Sequence, residues 1–164
     1  MFVPWRAQDV RPLLLRRRAS RPQLKRDPLG SGTMPIRFHA SVVHTSEVEG
    51  VLRIMLSVDE TLESERYLMI QRLLTPSVDD IRRGMNEVYI ETCGQGWSWY
   101  GHIEAFRLFP KRIQVQLDAV AAAEIRDDGA VDVSFDLPLE EFARLRRALQ
   151  RAFDGRPYYA EAAA

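Results

Sequence analysis

The sequence predicts an α+β, mainly β fold: an antiparallel sheet of about seven strands with one C-terminal amphipathic helix packed on a face. Three observations carry this expectation. Short runs alternate with period two, as in Leu52, Ile54, Leu56 and Val58 set between Arg53, Met55, Ser57 and Asp59, the mark of a strand with one face buried. The apolar period turns helical over a long stretch only near the end, at Phe142, Leu145, Leu149 and Phe153. Between Asn86 and Phe106, two strand-like runs join through a Gly-rich loop carrying Trp97, Trp99 and Tyr100. An amphipathic helix that follows a run of antiparallel strands lies across a sheet face.

Taken in order, Ile36, Phe38 and Ala40 begin an extended segment, and Glu47 to Gly50 reads as a turn into the alternating run at Leu52. Tyr67 to Leu74 is apolar enough on both faces to be an interior strand, which Pro76 interrupts. Val78 to Met85 is a polar connection with room for one helical turn ending at Gly84. Tyr89 to Cys93 and His102 to Phe109 are strands on either side of the aromatic loop, and Pro110-Lys111 turns the chain into Ile113, Val115 and Leu117. Ala119 to Arg126 is a short helical piece stopped by Asp127-Asp128-Gly129, and Val131, Val133, Phe135 and Leu137 form another alternating strand. In the final helix Pro138 fits the first turn, Glu140 and Glu141 place negative charge at the positive end of the dipole, and Gly155 is the stop. Arg144, Arg147 and Arg151 occupy its other side.

The chain of 164 residues suits one domain with a core large enough to need no metal or disulfide. Its formal charge of zero conceals an asymmetry. Residues 1–33 hold eight Lys or Arg against two Asp or Glu, so that 15 of the 23 basic and 21 of the 23 acidic residues lie from Met34 onward. The first segment carries four prolines, the run Arg16 to Arg18 and the closing Gly30-Ser31-Gly32, without a period for a packed face. It is expected to be a disordered basic extension, for which three readings compete: an arm that binds nucleic acid or an anionic surface by charge, an organellar targeting segment, or, the favoured one, an upstream addition to a protein whose biological start is Met34. Residues 34–155 are then the single domain and 156–164 a frayed tail. A lone cysteine, Cys93, excludes a disulfide framework and a Cys-rich zinc site. No apolar run is long enough to span a bilayer or to serve as a secretory signal, so a cytoplasmic protein is expected.

Candidates for chemistry are few. His39 and His44 are five apart, which sends them to opposite faces of a strand and away from a shared metal. His102 and Glu104, two residues apart on one strand face, form half of an acid–base site, with no nucleophile or metal motif placed to complete it. Gly94-Gln95-Gly96 leads into aromatics rather than a helix N-terminus and lacks the Lys of a phosphate loop. No cofactor or metal is expected. Trp97, Trp99 and Tyr100 either cap the end of a sheet or anchor a partner, since Trp and Tyr bury large area for few lost rotamers.

The run Tyr67-Leu68-Met69-Ile70-Gln71-Arg72, then Gly84-Met85-Asn86 leading to Tyr89-Ile90-Glu91, then Gln95, Ser98, Tyr100-Gly101 and Ile103-Glu104, together with Phe135-Asp136-Leu137 and Glu141-Phe142 entering a helix, resembles the immunity protein 10 family of bacterial polymorphic toxin systems. The similarity covers Tyr67 to Phe153. His102 stands where that family's pattern leads us to expect a second glycine, and Pro138 replaces a small polar helix cap, which leaves the capping to Asp136. The resemblance implies a mostly β protein that binds and neutralises a cognate toxin without catalysis. An acidic domain suits a basic partner such as a nuclease, and Glu91, Gln95, Trp97, Trp99, Tyr100 and Glu104 are the residues expected to meet it. Two other classes stay open: a nucleic-acid binder using the basic arm, with the folded domain taking no part, and an enzyme using His102 and Glu104.

Overall fold

The computed structural model describes residues 36–61, 66–92, 97–125 and 128–162. The chain divides into two units after Ser31, and every described element belongs to the second. The expected basic extension, the Met34 start, Cys93 and Gln95 fall outside the described residues.

Among the described residues, ten strands and three helices follow one another: β1 (Ile36–Ala40), β2 (Val42–Val48), β3 (Val51–Ser57), β4 (Tyr67–Leu73), α1 (Val78–Arg82), β5 (Tyr89–Thr92), β6 (Ser98–Tyr100), β7 (Ile103–Phe109), β8 (Arg112–Leu117), α2 (Ala119–Ile125), β9 (Ala130–Phe135), α3 (Leu139–Ala152) and β10 (Tyr159–Glu161). The mainly β class is as read, but the single sheet of about seven strands is not. There are two five-stranded sheets, ordered β1-β9-β8-β7-β10 and β2-β3-β4-β5-β6. The first is mixed, because β1 lies parallel to β9 and β10 parallel to β7; the second is antiparallel throughout.

Ser41 is the point at which one extended stretch changes sheets. Its N–H still bonds the Ser57 carbonyl at 2.9 Å, while the residues before it pair with β9 and those after it with β3. Period-two alternation identifies a strand with a buried face, but it carries no record of which strand lies alongside, so the partition into sheets is a long-range outcome.

The core is one cluster fed by both sheets. Leu52, Ile54, Leu56, Leu68, Ile70 and Ile90 come from the second sheet, and Phe106, Ile113, Val115, Val133 and Phe135 from the first. Helix α3 packs against β2, β3 and β4 and also reaches the other sheet, with the Phe142 ring 6.4 Å from Phe135 and the Phe153 ring 4.4 Å from Phe106. Leu145 and Leu149 are fully buried, while Arg144 and Arg147 are exposed. Pro138 is the N-cap and makes no side-chain cap bond; Asp136 accepts instead from Lys111 Nζ at 2.9 Å and does not cap the helix. Helix α3 is therefore held by its buried face rather than by its end.

The expected frayed tail is a second correction. β10 adds to β7, with Phe106 N–H donating to Tyr158 O at 2.8 Å and Ala162 N–H to Leu108 O at 2.9 Å. Glu161 accepts from Arg146 Nε and Gln150 Nε2 on α3, both at 2.8 Å, and Tyr159 stacks on Phe153 at 5.2 Å. Three residues are too few to show a period. The strand exists because α3 and β7 already present its partners.

Candidate functional site

The β5–β6 hairpin separates its aromatics by alternation. Ile90 pairs with Trp99, and both point into the core, Trp99 being 9% exposed. Trp97 is partly buried against the same core, and its carbonyl accepts the Thr92 N–H at 3.1 Å. The two tryptophans cap the core at this end. Tyr100 falls on the opposite face, opposite Tyr89, with the ring centroids 5.1 Å apart.

That opposite face is unusual for the outside of a sheet. Arg53, Gln71, Tyr89 and Tyr100 follow one another across four strands, and Met55, Met69, Glu91 and Ser98 form the next row. Glu91 is only 4% exposed; its carboxylate accepts from the Tyr67 hydroxyl and, at 2.5 Å, from the Tyr89 hydroxyl. It lies away from the core, as alternation predicts, yet it is covered and so is not a rim carboxylate. Burial, and next the hydrogen bond to Glu91, raise the Tyr89 phenol well above its ordinary range. Tyr100 is pushed up to about 12 by burial and then by the charge of Asp80, and its hydroxyl finds no hydrogen-bond partner among the described residues. Burial also lowers the Arg53 guanidinium, against the opposing pull of Glu91 and Tyr89. The outer face of the other sheet is conventional by comparison, with Arg112, Gln114 and Asp132 making polar contacts there.

Glu104 is exposed on β7, in the other sheet from Glu91 and Tyr100. The proposed His102–Glu104 pair does not form. His102 Nδ1 lies 2.8 Å from Asp118 Oδ2, while Asp118 Oδ1 accepts from the Val120 and Ala121 N–H groups that open α2, each at 3.0 Å. Burial works against ionisation of Asp118, but those backbone bonds and His102 together hold it below the usual carboxylate range. A His–carboxylate contact here ties a strand end to a helix start. Among the described residues, no group of three His, Cys, Asp or Glu side chains could hold a metal ion.

Sequence reading missed Tyr67, Met69, Gln71 and Arg53 as members of one face. The available signal was Tyr67 to Leu74 itself, apolar or aromatic on both faces where its neighbours alternate.

The domain is thus a two-sheet, mainly β one whose second sheet carries tyrosines and methionines on its outer side, Tyr67 and Met69 buried there and Met55, Tyr89 and Tyr100 partly exposed. The immunity protein 10 family model matches residues 39–143, more than half of the chain, and the chain belongs to that family. The match runs from β1 into α3, beginning earlier and ending sooner than the resemblance read from Tyr67 to Phe153. No curated protein matches the chain. The departure at position 102 has a structural counterpart: Gly101 and His102 adopt φ values of 72° and 58°, so His102 holds the left-handed conformation that favours glycine.

Proposed function

We propose that this chain is a cytoplasmic immunity protein of a bacterial polymorphic toxin system, which binds a cognate toxin and blocks it by occupancy, without catalysis. Family membership is the observation that carries this reading. The part of the original residue set best placed for contact is Tyr100, flanked by Tyr89 and Arg53, all three partly exposed on the outer face of the second sheet. Trp99 belongs to the fold, Trp97 adds only its exposed rim, and Gln95 adjoins the hairpin in sequence. Glu91 acts through the two tyrosines it holds. Glu104, on the other sheet, is left out of this surface. The excess of acidic residues from Met34 onward suits a basic partner such as a nuclease, whose approach it would accelerate.

The experiment is co-expression with a candidate toxin domain, sought in the reading frame beside this gene. The expected result is rescue of growth and a stoichiometric complex, with Tyr100→Ala folding normally and losing about 2 kcal/mol or more of binding. Absence of any complex with the wild-type chain would overturn the reading.

A further inference from the structure

We propose that the open edge of β2, together with the arginine row of α3, forms a docking groove for an extended acidic segment of the partner. This rests on the toxin-binding reading and names a second contact, with the opposite charge preference to the rest of the domain.

β2 is an edge strand, and its open side can be read from the ladder. Gly50 O accepts from Leu74 N–H and Val58 N–H donates to Arg66 O, so the even-numbered backbone groups of β3 face β4 and the odd-numbered ones face β2. Their partners across the β2–β3 ladder are Val42, His44, Ser46 and Val48. The N–H and C=O groups of Val43, Thr45 and Glu47 therefore point outward, and no hydrogen bond is made to them from that side among the described residues. Natural edges are blunted by shortness, by charge or by covering. β6 and β10 have three residues each and the five-residue β1 carries Arg37, whereas β2 runs for seven residues with Glu47 as its one carboxylate.

The same three residues turn their side chains to the α3 side, where two adjoining grooves of about 270 and 300 Å³ share Thr45 and Arg144. Glu141 lies at one end, and at the other Glu47 is held by Arg151 at 2.9 Å. Between them Arg144 and Arg147 are exposed and make no ion pair or hydrogen bond among the described residues. They are separated by three residues of helix, about 4.5 Å, and groove-facing side chains of an added strand would recur about every 6.8 Å. An added strand with carboxylates at alternate positions can thus meet both guanidiniums while its backbone pairs with β2. A second copy in antiparallel pairing would bring its own arginine row beside the first, so an acidic partner segment is the occupant that fits.

The test uses the full chain and two probes. The first is a synthetic octapeptide alternating Glu with Val or Thr, and its Lys counterpart. The Glu peptide should shift the amide resonances of Val43, Thr45 and Glu47 and slow their exchange, and the Lys peptide should not. Equal response to both peptides, or none, would overturn the groove. The second is the candidate toxin domain of the co-expression test. Arg144→Glu with Arg147→Glu, both at exposed positions, should weaken its binding at least tenfold, as should Thr45→Pro, which removes an outward N–H, while Arg107→Glu on the other sheet should not. If the wild-type chain binds the toxin and both β2-side variants bind equally well, the groove is overturned and the immunity reading stands. If the wild-type chain binds no toxin, the immunity reading fails and this one with it. A concentration-dependent dimer abolished by Thr45→Pro would assign the edge to a second copy and overturn the acidic segment.

Discussion

The phenols beside Glu91 show how much a covered face changes single side chains. Tyr89 and Tyr100 both have their pKa raised in the folded state, Tyr100 to about 12 against an ordinary 10.0. A group whose folded value is raised contributes stability that is present below the unfolded value and lost as pH rises through the folded one. Tyr158 and Tyr159 are raised by burial as well, so alkaline titration followed by tyrosinate absorbance should show at least four late-ionising phenols, of which Tyr89→Phe and Tyr100→Phe each remove one, with unfolding setting in between about pH 10 and 12. Full ionisation near 10 would show that the face is open to water. His102 poses a balance of two small terms. Its left-handed backbone costs about 1–2 kcal/mol for a residue with a Cβ, and its partly exposed contact with Asp118 returns about 0.2–1 kcal/mol. His102→Gly relieves the first, forfeits the second and adds unfolded-state entropy, so denaturant melts should place it within about 1 kcal/mol of wild type. His102→Ala keeps the strain and loses the contact, and should be the less stable of the two.

At the level of elements, helix and hairpin divide their residues between core and surface. Leu149 is fully buried under α3, and Leu149→Ala should cost about 2–5 kcal/mol, whereas Arg147→Ala on the exposed side should change stability by less than about 0.5 kcal/mol. Trp99→Ala should cost about 3–5 kcal/mol and Tyr100→Ala much less, because one caps the core and the other stands on the outer face. A toxin-binding defect in Trp99→Ala would thus report misfolding, and the same defect in Tyr100→Ala would report contact. β10 gives a sharper test of the tail. Ending the chain at Gly155 removes the Tyr159–Phe153 stack, the pairing with β7 and the Glu161 contacts with α3, and should lower the melting temperature by several degrees. An unchanged melt would mean that the strand contributes nothing. Gly129 constrains the α2–β9 turn in a different way. At φ 76° an added Cβ would lie 2.8 Å from Ala122 Cβ and 3.1 Å from the Leu117 carbonyl, so no other residue fits there without moving backbone.

For the whole molecule, the formal charge of zero divides into a basic first segment and an acidic remainder from Met34 onward. The acidic excess from Met34 onward produces a long-range field that attracts a basic partner, and salt screens it over about 8–10 Å at physiological strength. Under the proposed function, association with a basic toxin should therefore slow steeply with added salt, while dissociation should change little. Salt-independent association measured by stopped flow would remove steering from the account. The alternating strands and the long helix are single-body problems in which one side chain after another is sorted between core and water.

That sorting is legible in local periodicity alone. Leu52 to Val58, Ile113 to Leu117 and Val131 to Leu137 announce themselves because each buries one face, Phe142 to Phe153 because its apolar residues recur at helical spacing, and the order of motifs from Tyr67 onward places the chain in its family. Whatever depends on a distant neighbour is settled only when the elements pack together. Ser41 parts β1 from β2 because β9 and β3 lie in different sheets; Tyr159 to Glu161 become a strand because β7 and α3 are there to receive them; His102 turns to Asp118 rather than Glu104 because α2 begins beside it. The candidate site follows the same division. Alternation alone sends Trp99 and Tyr100 to opposite faces, but only the pairing of β3, β4, β5 and β6 assembles Arg53, Gln71, Tyr89 and Tyr100 into one surface, since register is a property of two strands and not of either one.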